Sequence, residues 1–482
     1  MASGGAGAGL EAARRALAGR EAWLVGGAVR DRHLGRIVAD FDVVVEENPA
    51  QAARAIAREA GRAACFALSQ EFGSWRVIDR ERRWQVDVEP LRGESIEEDL
   101  ALRDFTLNAL AEPLAGGPPL DPLGGLADLE AGRIRMAGPR AFVEDPLRVL
   151  RLARVVTELG LEPDAETLRC ARAQAPSLSA VSPERIFMEL RRIVAAPRAR
   201  AGIELTGELA ALAVVLPELE HMRGVEQNRF HHRDAYGHTL EVLDRTVELT
   251  DAAGPSGEEA LVALGAHRAD VAALLAEPLA DELSRGEALR WGALLHDAAK
   301  PLTREIRPSD GRVTFIGHDV RGAELARTVL GRLRASERLA AHVAGLVRHH
   351  LRLGFLVHEP QPLARRTVFA YLRACEPVEV DVTLLSVADR LATRGDRAAE
   401  AIDAHLAVAR AMLGDALRWR EAGSPAPLLR GDELAAALGI TPGPGLGELL
   451  ERVAEARYAG EIATSEEALG YARGLLSGRS LG

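Results

Sequence analysis

Residues 24–45 read LVGGAVRDRHLGRIVADFDVVV, and the organisation of the whole chain follows from how this stretch is read. An apolar run ends at Val25 and is followed by Gly26 and Gly27. Glycines there let backbone N–H groups come close to a phosphate, and a helix starting at that point favours the anion at its N-terminus. Arg30, one turn in, adds a charged fork. Asp40 and Asp42 stand one residue apart ahead of an apolar run. On a strand, positions i and i+2 share a face, and two carboxylates on one face repel unless cations lie between them. That pattern suits divalent metals bridging a nucleoside triphosphate and an attacking hydroxyl. Two solvated aspartates at a strand start would leave the glycine pair and Arg30 unexplained.

Outward from this unit, AWLV, FDVVVEE, AACFALS, WRVID and WQVDVEP read as strands. PAQAARAIAREAG reads as a helix with Pro49 near its start and Gly61 at its end. Beyond Gly125 the pattern turns almost wholly helical, as in DPLRVLRLARVVTELG and PERIFMELRRIVAA, with apolar residues at helical spacing. Residues 253–259 read as a loop and 422–427 as a linker. The expected fold is therefore α+β, a small mixed-sheet head followed by a long helical remainder. Its expected boundaries are 1–137 for the head, 138–220 for a helical neck, 221–420 for a second domain and 421–482 for a helical tail.

Composition narrows the function classes. The chain has 482 residues, too many for one core, with 47% hydrophobic and 27% charged residues, ordinary for a globular protein. No run of about 18 apolar residues predicts a membrane span, and the N-terminus lacks the pattern of a secretory signal. Three distant cysteines, Cys65, Cys170 and Cys375, suggest a reducing, cytoplasmic setting without a disulfide framework. The net charge of −11 argues against a surface that coats nucleic acid generally, though not against a local basic stripe. Residues 181–200 hold five arginines against two glutamates, which reads equally as an RNA backbone track or a solvated face. Arginine is abundant throughout, and Lys300 is the only lysine.

Two further segments join the first site. LRDFTLNALA (102–111) supplies Arg103, Asp104 and Asn108, and EDPLRVLRLARV (144–155) supplies Asp145, Arg148, Arg151 and Arg154. The last four recur every three residues, so they form a slanted ridge along one helix. Asp145 before Pro146 also fits a helix N-cap. An acceptor and a donor one turn apart present a hydrogen-bonding edge to a nucleotide base. Asp87 in WQVDVEP reads either as a third carboxylate or as a solvated strand end.

A second constellation lies on apolar helical segments: RFHHRDAYGHTLEVL (229–243), ALLHDAAKP (293–301), FIGHDVRGAE (315–324), LVRHHLRL (346–353) and LLSVADRLA (384–392). His238, then His296 with Asp297, then Asp389, form an ordered H…HD…D series. A buried His beside a buried Asp is costly unless paired or metal-bound, and the mixed donor set suits Zn, Mn, Fe or Ni as well as Mg.

The motifs GGAVRD…DFD, RDFTLNA, DPLGGLADLEAGRIR, EDPLRVLRLAR and ERIFMELRRI come in an order that resembles bacterial class II tRNA nucleotidyltransferases, the family of CCA-adding enzymes and poly(A) polymerases. The H…HD…D series resembles the HD phosphohydrolase superfamily, fused behind the head in many bacterial members. The resemblance covers about residues 22 to 475. It implies a polymerase β-like head that adds CMP and AMP from CTP and ATP to tRNA 3′ ends without a template; no membrane is expected, and no protein partner is implied. It implies that Asp40 and Asp42 hold Mg²⁺, that Gly27, Arg30 and Arg103 contact the triphosphate, and that Asp145 and Arg148 read the base with Arg151 and Arg154 in support. For the second site it implies a divalent transition metal or Mg²⁺ on His238, His296, Asp297 and Asp389. His318 and either His349 or His350 fall where a second metal could be held, with Lys300 reaching a phosphate. Residues 428–468 resemble a tRNA-anchoring tail. One departure is visible, Leu102 where the family carries a first arginine. The rival functions are poly(A) polymerisation, addition of CC or A alone, and an HD phosphohydrolase whose head merely binds RNA. The intact Asp40/Asp42 pair argues against the last.

Overall fold

The computed structural model describes residues 7–46, 48–69, 73–227, 232–250, 263–394 and 398–479. The expected loop at 253–259 and residues 229–231 lie outside them. The chain forms two compact units, one of residues 1–185 with 201–215 and the other of 186–200 with 216–482.

The head of the first unit is a six-stranded mixed sheet. Its strands are β1 (Ala22–Val25), β2 (Asp40–Val45), β3 (Ala64–Ser69), β4 (Ser74–Ile78), β5 (Gln85–Pro90) and β6 (Ala111–Pro113), in the order β3-β4-β5-β2-β1-β6. β2 and β5 pair in parallel, and the other pairs are antiparallel. The alternation of β2 sorts its side chains by face. Phe41, Val43 and Val45 join Leu24, Val86, Val88 and Ile56 in the core, and Asp40 and Asp42 turn away from it. The helix Pro49–Glu59 covers that core with Ala52, Ala53, Ile56 and Ala57. Asn48 caps it, accepting from the Ala50 N–H at 2.9 Å. In DPLGGL the glycine at 125 has a steric reason. A Cβ there would stand 2.1 Å from the Thr106 carbonyl oxygen, so only glycine lets the helix Gly125–Glu130 approach the turn Thr106–Asn108.

Beyond Gly125 the chain is helical as expected, with one addition. Three short strand pairs pin connections: Arg133–Ile134 with Glu162–Pro163, Pro278–Ala280 with Leu283–Ser284, and Glu305–Ile306 with Val313–Thr314. Such two- and three-residue strands are too short to show a period in sequence.

In the second unit a large core forms around Leu289, Ala293, Leu346, Val387, Leu391 and Leu413. The helix Arg285–Leu295 starts at a capping box between Ser284 and Glu287, and every residue of it except Glu287 is buried. A smaller core of Leu434, Leu449, Val453 and Ala456 holds the tail helices. The three cysteines are free.

Candidate active site

At the head, β1 ends in the turn at Gly26 and the helix Gly27–His33 begins. Gly26 has φ +75° and ψ −144°, a conformation open to glycine. A Cβ on it would meet Arg103 Nη1 at 3.0 Å and Asp42 Oδ2 at 3.6 Å, so the glycine turn, Arg103 and Asp42 converge at one point. Register explains the placement, since Val25 of β1 lies opposite Asp42, and Asp42 lies beside Asp87 of β5. Burial first, then Glu89 and Asp87, push the Asp42 carboxyl up to about 6 against the pull of Arg103 and Arg151. A carboxylate held against burial and like charges is suited to a cation beside it. Asp87 itself sits mid-strand, not at a solvated end, and is gripped by Arg76 through two bonds of 2.7 Å.

Arg103 is held by Asp99 one turn back, at 3.1 and 3.2 Å. Arg30 is buried. Its guanidinium donates to Asp31 twice at 2.9 Å and to Asn108 Oδ1, and it lies 3.3 Å from where a Cβ of Gly27 would be. Asn108 donates in turn to Asp104 at 3.0 Å, and Asp104 accepts from Arg151 at 2.8 Å. The sequence singled out all four residues but not the chain Arg30–Asn108–Asp104–Arg151 that ties the glycine turn to the helix Arg148–Leu159.

Asp145 precedes that helix. Its Oδ1 accepts from the Leu147 N–H at 3.2 Å, a turn ahead of the helix; the N-cap position falls on Leu147, so Asp145 is not the cap expected, and its Oδ2 pairs with Arg185 at 2.8 Å. Arg148 forks onto the carbonyls of Leu102 and Ala141 at 2.7 and 3.1 Å. Arg154 is buried and pairs with Glu158 at 2.9 Å. The expected ridge of four is thus differentiated: Asp145 and Arg148 remain partly exposed, and Arg154 packs inward. Along 181–200, Arg185, Arg191 and Arg200 are each paired with a carboxylate, which favours an ion-paired face there over a free basic track.

The second site draws on five helical segments. His238 lies on Ala235–Thr250, His296 and Asp297 follow Arg285–Leu295, His318 opens His318–Arg332, His350 ends Glu337–His349, and Asp389 lies on Glu379–Ala392. They form two triads, His238–His296–Asp389 and Asp297–His318–His350, each with its ligand atoms within 4.8 Å of one another. Asp297 stands between them. Its Oδ2 is 3.1 Å from His296 Nε2 and 3.8 Å from His238 Nε2, and its Oδ1 is 3.4 Å from His318 Nε2 and 3.9 Å from His350 Nε2. The Nδ1 atoms of His296, His318 and His350 bond the carbonyls of Ala293, Phe315 and Val347 at 2.6–2.7 Å. A carbonyl only accepts, so each Nδ1 carries a proton and each Nε2 faces the centre, where a neutral imidazole offers its lone pair to a metal. His296 Nε2 is buried and makes no well-aligned hydrogen bond although Asp297 Oδ2 lies 3.1 Å away, so the donor set fits a metal. Burial would push the Asp297 carboxyl up, but His296, Lys300 and His318 hold it well below the usual range.

Two expectations change here. His350, not His349, completes the second triad; His349 is partly exposed and accepts from Arg352 at 2.9 Å. The stripe Leu339, Val343, Leu346, Val347 is buried and continues at helical spacing to 350, which is the signal that separates the two neighbours. Lys300 does not stand free for a phosphate, because its Nζ lies 2.6 Å from Asp297 Oδ2.

Three family descriptions match this chain: "Poly A polymerase head domain" over residues 22–135, "Probable RNA and SrmB-binding site of polymerase A" over 160–222, and "HD domain" over 235–394. An A-adding tRNA nucleotidyltransferase of Deinococcus radiodurans is 38% identical over 451 residues, covering 92% of this chain and 93% of the relative. The chain belongs to the tRNA nucleotidyltransferase family. Similar relatives are a CC-adding tRNA nucleotidyltransferase of Thermus thermophilus, 33% identical over 93% of this chain and 92% of its own, and a Multifunctional CCA protein of Nitrosococcus oceani, 33% identical over 73% and 79%. The Bacillus stearothermophilus CCA-adding enzyme, solved in complex with CTP, shares the fold with a TM-score of 0.62 at 20% identity, over 98% of each chain. The chain is therefore a nucleotidyltransferase with an HD domain. Both families are metal-dependent, and among the described residues no helix is long and apolar enough to cross a membrane.

The glycine turn gives the first prediction. Gly26→Ala adds a Cβ against Arg103 and Asp42 in a conformation that costs about 1–3 kcal/mol for other residues. Nucleotide incorporation should fall about 10²-fold, a loss of about 2.7 kcal/mol in transition-state stabilisation. Single-turnover incorporation of a labelled nucleotide measures it, and an unchanged rate would mean the turn does not border the reacting triphosphate.

Proposed function

We propose that this enzyme extends tRNA 3′ ends without a template, adding CMP and AMP from CTP and ATP and releasing pyrophosphate, in the cytoplasm. The observation that carries the reading is the convergence of the Gly26 turn, Arg103 and the Asp40/Asp42 pair. In this reading Gly27 and Arg103 receive the triphosphate, and Asp40 and Asp42 hold Mg²⁺. Bound there, Mg²⁺ lowers the pKa of the RNA 3′-hydroxyl and neutralises the leaving phosphates. Arg30 acts through Asn108, fixing the turn that the phosphates meet. Asp145 and Arg148 meet the edge of the incoming base, held in place by Arg185 and by the carbonyls of Leu102 and Ala141. Arg151 locks their helix to the turn through Asp104. The tail helices 431–479 anchor the tRNA.

At the HD site His238, His296, Asp297, Asp389, His318 and His350 hold one or two divalent ions, transition metals or Mg²⁺. A metal held by these residues would supply Lewis acidity to a water beside it. The reaction we propose is hydrolysis of phosphate or 2′,3′-cyclic phosphate groups that block RNA ends, which frees a 3′-hydroxyl for the head.

A second reading, addition of the terminal A alone, is favoured by the A-adding name of the D. radiodurans relative. Purified enzyme with tRNA lacking CCA, or with tRNA ending in CC, and each labelled NTP separates the readings. Extension of the first tRNA by two C and one A supports CCA addition. One A on the CC-ended tRNA alone supports the second reading, long A tracts indicate poly(A) polymerisation, and no incorporation on either tRNA rejects the function.

A further inference from the structure

Lys300 is the only lysine among 60 Lys and Arg residues, and its side chain is buried inside the HD cluster. Its Nζ lies 2.6 Å from Asp297 Oδ2, bonds Gln227 Oε1, and lies 5.4 Å from the centre of the Phe315 ring. Oδ2 is the oxygen that faces His296 and His238, whereas Oδ1 faces His318 and His350. The ammonium therefore sits on the one Asp297 oxygen that a metal at the first triad would use. A compact point charge suits that slot, where a planar guanidinium would need more room and a second acceptor.

We propose that Lys300 is a resident cation that balances Asp297 while the HD site is empty and competes with metal for Asp297 Oδ2 at the first triad. The inference rests on the reading of this cluster as a metal site. Two consequences follow from charge alone. With Lys300 in place, the buried Asp297 is compensated without metal, so the domain keeps its fold when stripped. A metal entering the first triad must share or displace the ammonium, so it is held less tightly than the six-ligand cluster would otherwise hold it.

The test is Lys300→Met, which keeps the stem and removes the charge, in the full-length enzyme. Wild type treated with EDTA should lose little in Tm. Stripped Lys300→Met should melt about 10 °C below stripped wild type, as expected for a buried carboxylate that loses its ammonium partner, and Mn²⁺ should restore it. Mn²⁺ affinity by calorimetry should rise at least about tenfold in the variant. Should Lys300→Met prove too unstable to purify, Lys300→Met with Asp297→Asn removes both charges and should recover the stripped wild-type Tm. A packing role for the stem would give no such recovery. Unchanged or weaker Mn²⁺ affinity, a stripped variant as stable as stripped wild type, or a double variant that stays destabilised overturns the proposal. Failure of the metal reading looks different: in an Asp42→Ala background, which removes a carboxylate of the head's own cation pair, neither the Lys300 nor the Lys300→Met form would take up Mn²⁺, Ni²⁺, Co²⁺ or Zn²⁺.

Discussion

Asp42→Ala should lower nucleotide incorporation at least about 10³-fold while raising, or leaving unchanged, the stability of the head. On the proposed reading, the loss follows from removing one of two carboxylates that would hold a metal worth several kcal/mol to the transition state. The stability gain follows from the neighbours. Glu89 and Asp87 crowd Asp42, and burial adds to them, so its carboxyl is pushed up to about 6. Removing a charge that its surroundings disfavour relieves strain, whereas removing a structural charge creates it. Activity and stability moving in opposite directions therefore mark a functional carboxylate. Incorporation assays and calorimetry on Asp42→Ala, with Asp87→Ala beside it, read both quantities. Asp87 is bound twice by Arg76, so its removal should cost stability. Near-normal incorporation by folded Asp42→Ala would remove the metal from the mechanism at this position.

The head was legible because its chemistry is local. Gly26, Gly27, Asp40 and Asp42 fall within one strand–turn–helix–strand unit, and strand periodicity alone puts both aspartates on one face. What was not legible depends on residues distant in sequence. Arg30 reads as a phosphate fork one turn into a helix, but Asn108 reaches it from 78 residues away and takes up its guanidinium. Arg154 continues the three-residue spacing of Asp145, Arg148 and Arg151, yet a step of three on a helix drifts back around the axis, and by the third step the side chain faces the core. Arg76 and Asp87 face each other across β4 and β5, a pairing that only the strand register reveals.

The HD site divides in the same way. The H…HD…D order was enough to gather His238, His296, Asp297 and Asp389, since apolar flanks mark each as inward-facing. Neighbours such as His349 and His350 differ by about 100° on a helix, and the buried stripe ending at 350 decides between them. That Asp297 offers one oxygen to each triad, and that Lys300 occupies one of those oxygens, arises from four segments meeting in space.

Asp104→Asn should cost the head about 2–3 kcal/mol, read as a fall in Tm of roughly 4–10 °C. Asp104 is 4% exposed and accepts from the Phe105 N–H, Asn108 Nδ2 and Arg151. Breaking a fully buried ion pair costs about 3–5 kcal/mol. The Arg151 side chain is 36% exposed and can turn to water, so the cost is set lower. Asparagine keeps the shape and one acceptor oxygen, so the loss reports the charge and not a cavity. The pH dependence supplies a second check. Burial alone would raise the Asp104 carboxyl, but Arg151, Asn108, the Phe105 N–H and Arg148 together hold it well below its ordinary value. A carboxyl depressed on folding contributes stability that is complete above the unfolded pKa of about 3.9 and is lost as the pH falls toward the folded one. The gap between wild type and Asp104→Asn should therefore be constant from neutral pH down to about 5 and narrow below about 4. The same substitution should slacken Asn108, and through it Arg30 and the glycine turn, so incorporation should fall alongside Tm, the reverse of the Asp42→Ala pattern. A Tm within 1 °C of wild type at pH 7 would mean that Asp104 does not clamp the turn to the helix Arg148–Leu159.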